Sequence, residues 1–286
     1  MFKGMLKATV FATTMALATG AFYTPAFAEV VYNRGNSADP ESLDPHKTST
    51  VYEAHVLRDL FQGLIMQDKK ANIIPGAAES WTVSDDGTVY TFKLRKDGMW
   101  SDGTPVTAED FVFAFHRLED PATGAEYASM LYPVKGAEDF NTKKGKAEDM
   151  GVKAIDATTL EVTLKAPTPY FIEMLLHQAT FPVNPKAIAQ FGDDWGKPGN
   201  MVSNGAFTLA EFIPNDHITV VKSPSFHDAA NVKLDSVRYF PTEDRSTAIK
   251  RFEAGEIDFN DDIPTEQMAD LKAKFGDQLK IGPYLG

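Results

Sequence analysis

The chain has 286 residues, 40 Asp and Glu against 28 Lys and Arg, a net charge of −12 and no cysteine. So acidic a surface disfavours nucleic acid and anionic membranes as partners, and the missing thiols exclude disulfides, thiolate metal sites and anchoring through a lipidated cysteine. Apolar residues make up 43% of the chain, enough for a packed core, and the length leaves room for two lobes.

The first 28 residues read as a secretory signal. Lys3 and Lys7 form a positive leader, Ala8 to Tyr23 is apolar without an acid, and Ala26-Phe27-Ala28 is a small-x-small cleavage site before Glu29. The apolar run is shorter than the ~20 residues of a membrane span. The expectation is a soluble protein exported to the periplasm of a Gram-negative cell, without a lipid anchor.

Beyond residue 29, short strand patterns alternate with helical ones, which predicts a mixed α/β architecture. Trp81–Val83 and Val89–Leu94 flank Ser84-Asp85-Asp86-Gly87, a hairpin in which Tyr90, Phe92 and Leu94 share a face. In WSDGTPVTAEDFVFAFHRLEDP, from Trp100 to Pro121, Asp102-Gly103 makes a tight turn. Thr107 and Asp110 then form a capping box, with Asp for the usual Glu, and Phe111, Phe115 and Leu118 recur at helical spacing until Asp120-Pro121 stops the helix. Asn141–Met150 is polar and reads as an exposed loop; Val152–Ile155 and Leu160–Leu164 form a second hairpin.

A different rhythm begins near Pro182. Asn204-Gly205 precedes a strand over Ala206–Ile213, Pro214-Asn215-Asp216 turns into a strand over His217–Lys222, and Tyr239-Phe240 ends another. A helix from Ser246 stops at Gly255, Ile257-Asp258-Phe259 reads as a strand, and Pro264 suits the first turn of a helix carrying Met268, Leu271 and Phe275. Leu279–Leu285 opens a further apolar strand.

Enzymatic and metal chemistry finds little support. There is no G-x-S-x-G elbow, no S-x-x-K pair and no cysteine nucleophile, which argues against a periplasmic hydrolase. His46, His55, His116, His217 and His227 show no zinc spacing. The Asp-Gly turns lack the calcium-loop pattern, and Gly192–Lys197 lacks the Ser or Thr of a phosphate loop. No cofactor and no metal are expected. Trp81, Trp100 and Trp195 read as packing residues.

The literal strings say more. The Trp100–Pro121 run resembles the signature stretch of the solute receptors that feed peptides to ABC importers, the peptide and nickel receptor family. So do Ser42-Leu43-Asp44-Pro45-His46-Lys47, Arg58-Asp59-Leu60-Phe61-Gln62-Gly63-Leu64, Tyr127-Ala128-Ser129, Thr168–His177, Asn204-Gly205-Ala206-Phe207 and Gly255-Glu256-Ile257-Asp258. The likeness covers roughly 30 to 286, and LDPHK, YAS and TLKAPTPYF favour the oligopeptide branch.

The resemblance implies an α/β, periplasmic-binding-protein-like bilobal receptor that closes on its ligand. Here it would be mainly the first, discontinuous lobe (29–62 and 183–286) with an inserted subdomain (63–182). Family members are considerably longer, so the second lobe is expected to be absent and the strand opening at Leu279 poorly covered. The implied function is non-enzymatic: a monomer that binds oligopeptides and delivers them to an inner-membrane ABC permease. The same fold binding a dipeptide, murein peptide, nickel chelate or haem is the alternative.

Such receptors hold the peptide main chain as an added strand and leave side chains in hydrated pockets. The positions matching contact segments are Ser49, Thr50, Val51, Tyr127, His177, Asn260, Asp261 and Asp262. The resemblance implies backbone hydrogen bonds from Thr50 and Val51, a pocket wall at Tyr127 and a carboxylate partner in His177. Ser49 stands where family members often carry an acid, which weakens any preference for a basic ligand residue there. The Asn-Asp-Asp run either favours cationic ligands or is a solvated turn.

Overall fold

The structure, a computed structural model, describes residues 29–281. Strand β1 (Val31–Asn36) is followed by helix α1 (Val51–Leu60), a short pair β2 (Ile65–Gln67) and β3 (Ile73–Pro75), and the hairpin β4 (Ala78–Val83) and β5 (Val89–Leu94). Helices α2 (Ala108–Glu119) and α3 (Ala137–Asn141) lead to the hairpin β6 (Val152–Asp156) and β7 (Thr159–Thr163), then α4 (Phe171–Met174) and α5 (Pro185–Phe191). The chain continues through β8 (Phe207–Ile213), β9 (His217–Lys222), β10 (Ser236–Pro241), α6 (Arg245–Glu253) and α7 (Met268–Phe275).

Two four-stranded sheets organise these elements. One is antiparallel, in the order β4-β5-β7-β6. Its strands are consecutive hairpins, and Asp86 and Asp156 build the turns: Asp86 accepts from the Thr88 N–H and Asp156 from the Thr158 N–H, at 3.1 and 2.8 Å. Tyr90 and Phe92 face Val162 and Leu160 across the strands, and all four are buried. Helix α2 covers this sheet with Phe111, Phe115 and Leu118, none of them exposed. Its Thr107–Asp110 capping box forms as expected, and Asp110 also accepts the Trp100 indole N–H at 3.2 Å.

The other sheet runs β1-β10-β9-β8. Its β1–β10 pair is parallel, setting Val31 against Ser236, so the chain must travel through the first sheet before it returns. At that return, two of the sequence strings lock together. Asn204 accepts from the Gln62 N–H at 3.0 Å and donates to the Gln62 carbonyl at 2.9 Å, while the Gly205 N–H donates to the Leu60 carbonyl at 2.8 Å. A Cβ on Gly205 would fall 2.5 Å from the Asp59 carbonyl oxygen, so only glycine permits this approach.

A buried ion pair makes a second joint. Arg117 in α2 donates to both carboxylate oxygens of Asp44, through Nη1 at 2.9 Å and through Nη2. Nη1 also donates to His46 Nδ1 at 2.8 Å, and Trp195 Nε1 donates to Asp44 at 3.3 Å. Burial would raise the Asp44 carboxyl, but the Arg117 hydrogen bonds, with His46, hold it below its usual range. His46 is wholly enclosed and pushed down to about 4, because burial disfavours its charge.

Several expectations change. Ile257–Phe259 is not a strand but a single parallel bridge to β1: the Asp258 side chain accepts the Asn33 N–H at 2.8 Å and the chain then turns away. Pro264 precedes a 3₁₀ turn, Thr265–Gln267, and α7 begins only at Met268. The Asn141–Met150 segment contains a 3₁₀ turn at Ala147–Asp149 and buries Met150. Leu279–Ile281 is not in a strand, and Ile281 is exposed; the expected signal segment, 1–28, and residues 282–286 lie outside the described residues.

Removing one partner of a buried pair strands the other without compensation. Arg117→Met should therefore lower stability by about 3–5 kcal/mol in urea unfolding. The double variant Asp44→Asn/Arg117→Met should recover part of that loss.

Candidate functional site

The expected contact residues gather around α1. Its residues Val51, His55 and Arg58 are spaced four and three apart and share a face. His55 reaches toward the 260–262 segment, with Nε2 3.3 Å from Asp261. Arg58, in the last turn, is exposed and acts electrostatically on His177.

The loop before α1 is held by Glu53, which is 2% exposed. Its Oε2 accepts from the Ser49 N–H at 2.9 Å, the Thr50 N–H at 2.9 Å and the Thr50 hydroxyl at 2.8 Å; its Oε1 accepts from the Glu41 N–H at 3.2 Å. The Thr50 carbonyl accepts from the Ala54 N–H at 3.2 Å. Both main-chain groups of Thr50 thus take part in the helix cap, its N–H held by Glu53 and its carbonyl keeping one further lone pair for a ligand. The first N–H groups of a helix have no intrahelical acceptor, and Glu53 satisfies only those before Val51. Val51 itself is 51% exposed, and its N–H has no acceptor among the described residues. Ser49 is exposed, with its N–H turned back to Glu53.

Tyr127 and His177 lie in contact, their ring centroids 4.4 Å apart at 45°. His177 Nδ1 accepts from the Ala179 N–H at 3.2 Å, which leaves the proton on Nε2. Burial, with the nearby Arg58 charge, pushes His177 down to about 4. The ring is neutral at pH 7 and meets a carboxylate only as an N–H donor; the cation in this region is Arg58.

Asn260, Asp261 and Asp262 are neither bare acids nor a freely solvated turn. Asp261 pairs with Arg34 at 3.2 Å and lies 3.3 Å from His55, which burial pushes down to about 4 and so leaves uncharged, and Asp262 pairs with Arg245 at 2.7 Å. Asn260 Nδ2 donates to the Asp262 carbonyl at 2.6 Å. These charges are matched from within, so the run offers little to a cationic ligand. Asn260 and Asp261 instead edge a cavity of about 560 Å³ whose apolar lining includes Phe252, Phe259, Leu271 and Phe275. Among the described residues no group of three His, Asp or Glu is placed to hold a metal.

Two residues central to this geometry escape the motif reading. Glu53 had a visible signal, the T-x-x-E spacing from Thr50. Arg58 lies inside the RDLFQGL string, but nothing local distinguishes its exposed charge from any other surface arginine.

Residues 72–286 match the family model described as bacterial extracellular solute-binding proteins, family 5, middle region. The chain belongs to that family. It is 44% identical over 255 residues to the periplasmic oligopeptide-binding protein OppA of Escherichia coli K12, an alignment covering 88% of this chain and 47% of the relative. The solved structure of Burkholderia pseudomallei OppA superposes with a TM-score of 0.87 at 38% identity, over 90% of this chain and 50% of that one. Haemophilus influenzae OppA in complex with RPPGFSPFR gives 0.85 at 40% identity, over 87% and 49%. The chain thus spans about half the length of the family-5 relatives it matches. Its α/β architecture is that of OppA-type binding proteins, and no helix among the described residues is long and apolar enough to cross a membrane.

Two measurements check this geometry. Glu53→Ala should cost about 2 kcal/mol by removing the buried acceptor shared by the Ser49, Thr50 and Glu41 donors, and hydrogen exchange should show the Ser49 and Thr50 amides losing protection. His46 and His177 stay neutral when folded but charge near 6.5 when unfolded. The stability they contribute is therefore present above 6.5 and lost as pH falls toward 4. The unfolding constant should rise up to about tenfold per pH unit for each, and His177→Gln should shallow that slope.

Proposed function

We propose that this chain forms one face of an extracytoplasmic receptor that binds oligopeptides and passes them to an inner-membrane ABC permease, without catalysing a reaction. The observation that carries the reading is the Val51 N–H, left without an internal acceptor by the Glu53-held loop at the start of α1, with the neutral Nε2–H donor of His177 near Arg58 toward the other end of that helix. An extended peptide supplies what such a surface needs, a carbonyl and an N–H at every residue, whatever its side chains. Family membership and the peptide-bound relative support the ligand class. In this reading 29–62 and 183–286 form the first lobe and 63–182 an inserted subdomain. The grouping of β1 with β8–β10 in one sheet, and of β4–β7 in another, supports that division. Ala26-Phe27-Ala28 supports export to the periplasm after cleavage, and the absence of cysteine supports a form without a lipid anchor. The receptor acts as a monomer.

Calorimetric titration with three- to five-residue peptides tests the proposal. This half-length chain alone is expected to bind weakly or not at all, because it encloses only one side of the ligand. A full-length receptor carrying it is expected to bind saturably, with weaker or no heat from murein peptide, nickel chelate or haem. Val51→Pro sharpens the test, because proline is favoured at the first helical position and removes only the N–H; Thr50 already has the extended backbone a following proline requires. Affinity should fall about tenfold, the worth of one good hydrogen bond, with the melting temperature unchanged. No saturable binding of any peptide to the full-length receptor, or equal affinity in its proline variant, would count against this reading.

A further inference from the structure

Glu119 ends α2 in an unusual setting. It is 0% exposed, and neither carboxyl oxygen has a hydrogen-bond or ion-pair partner among the described residues. Nearby polar groups are committed elsewhere. Asn141 Nδ2 donates to the Glu119 main-chain carbonyl at 3.1 Å, not to its side chain, and the Tyr132 hydroxyl donates to Asn141 Oδ1 at 2.8 Å. Elements packed against α2 carry Lys153 and Asp156 on β6, Glu161 on β7, and Glu138 and Asp139 on α3, and none of these reaches the carboxyl. On α2 itself, Arg117 is held by Asp44 and His46, and His116 Nε2 is likewise without a partner.

A bare carboxylate in such a place is far costlier than a neutral acid. We propose that Glu119 is a proton-binding site, carried as an uncharged carboxylic acid in the folded protein at neutral pH. The bound ligand is a proton, and its seat is the enclosed side chain. Burial alone pushes the group up to about 8, consistent with that geometry. Because Arg117 lies in the same turn, the proton also secures the turn from which Arg117 grips Asp44.

The direction of the pH effect follows. The unfolded chain releases this proton near 4.5 and the folded one near 8. The contribution is complete below 4.5 and lost as pH rises toward 8, opposite in sense to His46 and His177. A comparison with variants isolates it. Urea unfolding of the wild type, Glu119→Gln and Glu119→Met should be followed from pH 5 to 9. Relative to either variant, the wild-type unfolding constant should rise up to about tenfold per pH unit to pH 8 and level off beyond. Only slopes are compared, since a buried glutamine amide carries its own constant penalty. Carboxyl-¹³C NMR gives a readout independent of variant folding: at pH 6.5 one glutamate resonance should sit at the protonated position and titrate near 8. Parallel slopes in all three proteins, or no protonated glutamate resonance at pH 6.5, would overturn the proposal.

Discussion

The guanidinium of Arg117 holds Asp44 and His46 in a buried cluster that Trp195 joins through its indole N–H, and much else depends on that contact. It joins the segment leading from β1 into α1 to a helix that covers the other sheet. A second joint, Asn204 and Gly205 against Gln62 and Leu60, returns the chain to the same place. Phe61 and Trp195 meet edge to face between the two, with ring centroids 6.2 Å apart. Four strings far apart in sequence thus close one interface, and its polar groups are paired, as a low-dielectric setting requires.

From that fixed base α1 projects as the spine of the candidate site. Glu53 sets the helix start by drawing Ser49, Thr50 and Glu41 inward, and the free main chain begins at Val51. The same carboxylate places a negative charge at the positive end of the helix. At the other end Arg58 is the exposed charge, and it helps keep His177 uncharged. Main-chain hydrogen bonding at one end and a cation beside a neutral donor at the other suit a ligand defined by its backbone more than by its side chains.

Motifs were legible where local physics decides structure. The first hairpin followed from alternation and its Ser84–Gly87 turn, the second from alternation alone, and α2 from its capping box and the spacing of Phe111, Phe115 and Leu118. The site was legible only as a set of positions. The sequence showed Asp261 as an acid in a turn, but its partner Arg34 lies 227 residues away. His177 as a possible cation became a neutral donor once burial and Arg58 acted on it. The Ile257–Phe259 strand shrank to one bridge because its Asp258 side chain takes the place of further ladder pairing.

By itself the sequence determined the alternating elements, the absence of thiol chemistry and the family, because periodicity, turn chemistry and literal strings survive without coordinates. Only the tertiary structure decided which backbone groups stay free, which acids are already paired, and that Glu119 is sealed without a partner. Those outcomes depend on burial and on neighbours distant in the chain, and neither burial nor distance in space is written locally in an amino-acid sequence.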